Sequence, residues 1–255
     1  MTVGHEIVGN GSEHVIVMHD WMSTRASYDG LLPFLDTDSF TYAFMDHRGY
    51  GQSRDIAGKH TAVEAAGDVI ALADSLGWER FHVIGHSMSG MIAQRVSLDA
   101  PGRVSSLVAV TPVPASGVPL DADGEALFKG AATDDDKWKT VAKMVTSERL
   151  SERWYDAKLQ QFRKSVDPEA FLEFLQMWTQ EDFSSQLKDV ATPVLIIVGE
   201  HDFEAFTVDA MRETICLWYR SAKIELLSGS GHYPMAETPV YFLTVVENFM
   251  KSVAA

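Results

Sequence analysis

Phe81-His82-Val83-Ile84-Gly85-His86-Ser87-Met88-Ser89-Gly90 is the stretch that decides the fold. A strand-like apolar run ends at Ile84, small residues follow, and a helical stretch, Met91 to Leu98, comes directly after. Strand, abrupt turn and helix is the geometry that lifts a serine hydroxyl above the end of a sheet, where it can attack a carbonyl. Ser87 is therefore the candidate nucleophile. Small residues are required two places before and two places after it, because the strand and helix backbones nearly touch there. Gly85 and Ser89 fill those places.

Working outward, strand-like runs alternate with helical patterns: Thr41 to Met45, Phe81 to Ile84, Val104 to Val110, Pro193 to Val198 and Lys223 to Leu227. Such alternation predicts right-handed βαβ units, hence an α/β protein with a mostly parallel central sheet and helices on both faces. The opening differs. Glu6 to Val8 and His14 to Met18 flank Asn10-Gly11, which predicts an antiparallel hairpin. Thr61-Ala62-Val63-Glu64 has capping-box spacing, Gly77 stops that helix, and Thr238-Pro239 starts the last one.

From Thr111 to Ala191 the sequence offers no strand, only amphipathic helical stretches rich in Trp, Phe, Tyr and Met. This predicts a core of residues 1–111 and 192–255 with a helical cap, 112–191, inserted between two strands at the carboxyl edge of the sheet. Most of its aromatics glue cap to core; Trp138, Trp154 and Trp178 are expected to face the pocket. Asp134-Asp135-Asp136 reads as a solvated start of a helix rather than a cation site, which would need more ligands at defined spacing.

A serine hydroxyl needs a base, and the base needs an orienting acid. In this topology the chain order is serine, acid, histidine. Pro193 to Val198 runs into Gly199-Glu200-His201-Asp202, which makes Asp202 the candidate acid, with Glu200 and Glu204 as alternatives. Lys223 to Leu227 runs into Ser228-Gly229-Ser230-Gly231-His232, a small-residue loop ending in the candidate base. A developing oxyanion needs backbone N–H donors, assigned to Met88, after the nucleophile, and Trp21, in the loop His19-Asp20-Trp21-Met22. His19, Asp20, the Trp21 ring and Tyr233 complete the expected substrate contacts. No cofactor or metal is needed.

The chain resembles the α/β-hydrolase superfamily, in its cap-bearing group of small esterases, lactonases, C–C bond hydrolases and hydroxynitrile lyases. Five ordered motifs carry the resemblance: His19-Asp20-Trp21, Asp46-His47-Arg48-Gly49-Tyr50-Gly51-Gln52-Ser53, the nucleophile turn, Gly199-Glu200-His201-Asp202, and Gly231-His232-Tyr233-Pro234. It implies that Asp46 and Arg48 brace loops beside the site. Two positions depart from it. Asp20 and Ser89 stand where the family commonly has glycine. Asp20 either disfavours carboxylate substrates or satisfies local backbone donors.

The formal net charge of −15 argues against nucleic acid and anionic membrane surfaces as partners. The single cysteine, Cys216, excludes an internal disulfide and reads as a core residue. The start of the chain has no basic segment followed by a long apolar one, and no apolar run is long enough to span a membrane, so a cytoplasmic monomer or homodimer is expected. The expected activity is hydrolysis of a neutral, apolar, small-to-medium ester or lactone. C–C or amide cleavage by the same residues is the alternative, and a small-molecule sensor with slow residual hydrolysis is the alternative from another class. A cyanohydrin lyase would place a lysine near the site, and no lysine falls in the motif loops.

Overall fold

In the computed structural model, which describes residues 2–188 and 190–254, seven strands form one sheet in the order β1-β3-β2-β4-β5-β6-β7. They are β1 (His5–Gly9), β2 (Glu13–Met18), β3 (Phe40–Met45), β4 (Phe81–His86), β5 (Val104–Val110), β6 (Val194–Gly199) and β7 (Lys223–Leu227). All neighbours are parallel except β1 and β3.

Alternation of side chains across each strand divides the core in two. Ile16, Val83, Leu107 and Ile196 face one way, onto a layer that includes Ala66 and Val69 of α1 (Ala62–Ser75) and Ile92 and Val96 of α2 (Met88–Asp99). Val15, Ile84, Val108 and Leu195 face the other, onto Phe242, Val246 and Met250 of the C-terminal helix and onto Tyr28 and Leu31. The central strands are buried on both faces, which is why they read as unbroken apolar runs.

The expected hairpin does not form. β3 lies between β1 and β2, antiparallel to the first and parallel to the second. The Asn10-Gly11 turn instead docks on the segment leading into β3: Asn10 N–H donates to Thr37 O at 3.1 Å and Gly11 N–H to Phe40 O at 3.3 Å. A Cβ on Gly11 would sit 2.0 Å from the Ser39 carbonyl carbon, so glycine is needed for a close approach.

Between β5 and β6 lie four helices, α3 (Ala122–Gly130), α4 (Asp135–Val145), α5 (Glu152–Ser165) and α6 (Pro168–Gln180). Each starts at a side-chain cap: Asp121, Asp134, Ser151 and Asp167 accept first-turn N–H groups. Such caps contribute about 1 kcal/mol apiece. Asp134 is thus spent on its own helix, accepting from Asp136 and Lys137. The apolar faces of these helices join the α1/α2 side of the core through Phe162, Phe171, Phe174 and Met177. The chain then continues through α7 (Val208–Arg212), α8 (Ile215–Trp218), α9 (Pro234–Glu237) and α10 (Pro239–Ala254). Cys216, in α8, is half-buried against the core.

Candidate active site

At the end of β4 the chain makes the turn that the small residues permit. Ser87 has φ 55° and ψ −116°, a conformation a residue with a side chain rarely adopts. A Cβ on Gly85 would lie 2.1 Å from Ser89 O, and one on Gly90 2.3 Å from Pro112 Cβ. The exit of β5 locks the turn: Ser87 N–H donates to Val110 O at 2.9 Å, and Ser87 O accepts from Val113 N–H at 2.9 Å. Ser89 does more than spare space. Its hydroxyl donates to His19 O, so the His47 Nε2 that lies 2.7 Å away must donate to Ser89, tying two neighbouring loops to the turn.

The acid and base loops close on each other through glycines. A Cβ on Gly199 would lie 2.1 Å from Gly231 O, and His201 N–H donates to Ser230 O at 2.9 Å. Asp202 and His232 are thereby paired, with Nδ1 at 2.9 and 3.0 Å from the two carboxylate oxygens. Glu200 accepts from Gly229 N–H instead, and Glu204 is exposed. Two donors hold the His232 carbonyl from behind: His86 Nε2–H at 2.7 Å and the Thr111 hydroxyl at 3.2 Å. Thr111 reaches it from φ 40°, a strained backbone that costs on the order of 1–3 kcal/mol. Burial pushes the His232 imidazole toward neutrality, but the charge and hydrogen bond of Asp202, helped by Asp20 and Glu237, hold its pKa above the ordinary value.

Ser87 and His232 border one cavity of about 50 Å³. No direct hydrogen bond joins them, although both face the same space. Neither the Trp21 nor the Met88 amide donates to an acceptor among the described residues. Asp20 explains part of this: its carboxylate takes the Met22 N–H at 2.7 Å, turning the loop and leaving the Trp21 N–H unengaged. The Trp21 ring is fixed by stacking on Phe171 at 3.8 Å and by its Nε1–H donating to Phe171 O at 2.8 Å.

Of the expected substrate contacts, Asp20, Trp21, Trp178 and Tyr233 line the cavity. Three expected contacts lie elsewhere. His19 is fully buried, donating through Nδ1 to Asp20 O and accepting the His47 N–H on Nε2. Trp138 packs on Phe162, because α4 turns Val141, Met144 and Val145 toward the cavity. Trp154 borders a separate surface groove with Lys158 and Met235. The residues missed are Val113, Val118 and Leu120 after β5, Phe128 and Met144 in the cap, and Phe203 and Phe206 after the acid. For Val113, Val118, Leu120, Phe203 and Phe206 the signal was positional: apolar residues in loops at the carboxyl ends of β5 and β6 face the site in such a sheet.

Lys158 reaches the core from α5, its Nζ donating to Ser27 Oγ at 2.9 Å. It belongs to the surface groove, and among the described residues no lysine or arginine lines the cavity. Asp46 accepts the Arg25 and Gln52 N–H groups, and Arg48 makes a two-pronged pair with Asp68 at 2.6 and 2.8 Å. Among the described residues no three His, Cys, Asp or Glu side chains gather as a metal site, and no helix is long and apolar enough to cross a membrane.

Comparison with known proteins agrees with this architecture. The chain is 28% identical over 95% of its length, and 88% of the relative's, to 2-hydroxy-6-oxononadienedioate/2-hydroxy-6-oxononatrienedioate hydrolase 1 of Dechloromonas aromatica (strain RCB). It is 27% identical over 94% of its length, and 96% of the relative's, to the pimeloyl-[acyl-carrier protein] methyl ester esterase of Nitrosomonas europaea. The crystal structure of the enol-lactonase from Burkholderia xenovorans LB400 superposes with a TM-score of 0.83 at 20% identity, covering 98% of this chain and 96% of that one. Residues 13–239 match the family model described as alpha/beta hydrolase fold, and the chain belongs to that family.

Proposed function

We propose that this protein is a carboxylic ester hydrolase that works through an acyl-enzyme on Ser87. One observation carries the reading: a serine on a strained turn and His232, itself paired with Asp202, border the same cavity as Trp21, whose amide, like that of Met88, donates to no acceptor among the described residues. His232 Nε2 takes the Ser87 proton as Oγ attacks the ester carbonyl carbon. The carbonyl π electrons move to oxygen, which is received by the Trp21 and Met88 N–H groups. Collapse re-forms the carbonyl and expels the alcohol, protonated by His232. Water then attacks the acyl-enzyme, losing its proton to His232, and the acid leaves as the proton returns to Ser87. Asp202 keeps the imidazole in the working tautomer and offsets the charge it gains.

The cavity supports a neutral, apolar substrate. Its walls include Val113, Val118, Leu120, Phe128, Val141 and Phe206, and no cation is among them. Asp20 adds a negative charge: burial would raise its pKa, but His86, Lys158 and Ser23 hold the carboxyl well below the usual range, so it is ionised. A dioate, the kind of substrate in the printed name of the Dechloromonas relative, would meet the Asp20 carboxylate in the lining and no lysine or arginine to pair with its own second carboxylate. An ester or lactone with one reacting carbonyl and an apolar remainder fits the lining.

The test is turnover of p-nitrophenyl acetate and of a neutral lactone by the purified protein and by Ser87→Ala, with mass spectrometry of a trapped acyl group. Many turnovers lost on substitution, and an adduct on Ser87, are expected. A single slow turnover with a lasting adduct would replace the enzyme reading with that of a sensor.

A further inference from the structure

Asp20, His86 and Tyr233 each stand one position from a working group, Trp21, Ser87 and His232 respectively, and the three meet one another. Asp20 Oδ1 accepts the Met22 N–H at 2.7 Å and the Tyr233 hydroxyl at 3.2 Å. Its Oδ2 accepts the Ser23 hydroxyl and faces His86 Nδ1 at 3.5 Å. His86 in turn donates through Nε2 to the His232 carbonyl. Beyond Ser23 the contacts run on to the cap: Ser27 donates to Ser23 Oγ at 2.6 Å and Lys158 to Ser27. One buried carboxylate, 2% exposed, therefore touches the last residue of β4 and the loops that follow β2 and β7.

Glycine at position 20 would leave the Tyr233 and Ser23 hydroxyls without this acceptor and the Met22 N–H without its turn. Each buried polar group stranded in this way carries a desolvation penalty that the loops would relieve by shifting. These loops hold the oxyanion amide, the nucleophile and the base, whose relative placement sets the rate.

We propose that Asp20 is a positioning residue that fixes the oxyanion loop, the nucleophile turn and the His232 loop in one register, so that its removal lowers kcat rather than substrate affinity. The proposal rests on the serine-hydrolase reading above. The charged and titratable groups around His232 are Asp202, Glu237, His86, Tyr233 and Asp20, so removing the Asp20 charge also eases deprotonation of the base.

The experiment measures kcat and KM for p-nitrophenyl butyrate, per active site titrated with a fluorophosphonate, in Asp20→Ala, Asp20→Asn and Tyr233→Phe. Asp20→Ala is expected to lose about 10–100-fold in kcat with KM nearly unchanged. Asp20→Asn restores most of that loss, because its amide oxygen still accepts from Met22 and Tyr233 and its NH₂ faces His86 Nδ1, leaving only the Ser23 hydroxyl without its acceptor. The acid limb of its kcat profile moves to lower pH. Tyr233→Phe cuts one contact without touching the carboxylate and loses about 3–10-fold; it serves if Asp20→Ala does not fold. The proposal is overturned by an Asp20→Ala or Tyr233→Phe protein with wild-type kcat per titrated site, or by Asp20→Asn falling as far as Asp20→Ala. A wild-type protein that the fluorophosphonate leaves unlabelled would instead remove the serine-hydrolase reading beneath it.

Discussion

Two sets of serine, histidine and carboxylate sit on this one sheet, at opposite ends of its strands. At the carboxyl end are Ser87, His232 and Asp202. At the amino end, His82 of β4 lies 2.7 Å through Nδ1 from Ser106 Oγ of β5 and 3.2 Å through Nε2 from Glu13 Oε2 of β2. On distances alone the second set is the more complete, since its serine already touches its histidine. It has none of the rest. Ser106 lies in β5 where its pairing with β4 slips by one residue, is fully buried and borders no described cavity, and its histidine is held below its usual pKa by burial against the opposing pull of Glu13. Contact among the right residue types is therefore a weak criterion. A strained turn, open space and unengaged amides mark the upper set.

The largest expected effect would break this contrast if it failed. Ser87→Ala should lower kcat/KM for p-nitrophenyl acetate by about 10⁴-fold or more, whereas Ser106→Ala should leave it within about twofold. Comparable losses in both would mean that the lower set takes part. Asp202→Asn should cost about 10³–10⁴-fold by leaving His232 in the wrong tautomer, and Glu13→Gln should cost nothing measurable in rate. The cavity that Ser87 and His232 border should favour a neutral methyl ester over its ω-carboxylate analogue by about 100-fold in kcat/KM. Parity between the two esters would show that Asp20 is not felt by the substrate.

Smaller effects sharpen the comparison. His232 must be neutral to act as a base, and its raised pKa displaces the acid limb of kcat/KM upward. Activity should therefore rise with pH through a midpoint above the ordinary histidine value of 6.5. His82 is shifted the other way, and NMR titration should find its midpoint below 6.5. The two shifts have opposite signs for stability. The His232 contribution is complete below the unfolded-state pKa and is lost as pH rises through the raised folded value; the His82 site loses stability as pH falls below 6.5. Ser106→Ala should cost about 1–3 kcal/mol in denaturant unfolding, since it strands His82 Nδ1, while activity persists.

What was legible in the sequence follows from how local each signal was. The nucleophile turn could be read because its requirement for small residues acts over a few positions, and Gly85 and Gly90 each meet a backbone or side-chain neighbour that forbids a larger group. Asp202 and His232 were placed by the strands that deliver them. The hairpin was misread because Asn10-Gly11 is a local signal, whereas β3, arriving from thirty residues further along, competes for both strands. Trp138 and Trp154 were misplaced for a related reason. Periodicity shows that a cap helix has an apolar face but not which neighbour that face meets. The lower set left no sequence signal, since Glu13, His82 and Ser106 come together only through the pairing of three strands.

The hydrogen bond from the Trp21 indole to Phe171 O has a consequence for how the site admits a guest. Phe171 belongs to cap helix α6, and Trp21 carries one of the amides assigned to the oxyanion, so lid and receptor are mechanically one piece. Any displacement of α6 would therefore pull on the loop that carries this amide, so room for a guest cannot be made on that side without disturbing the receptor for its carbonyl oxygen.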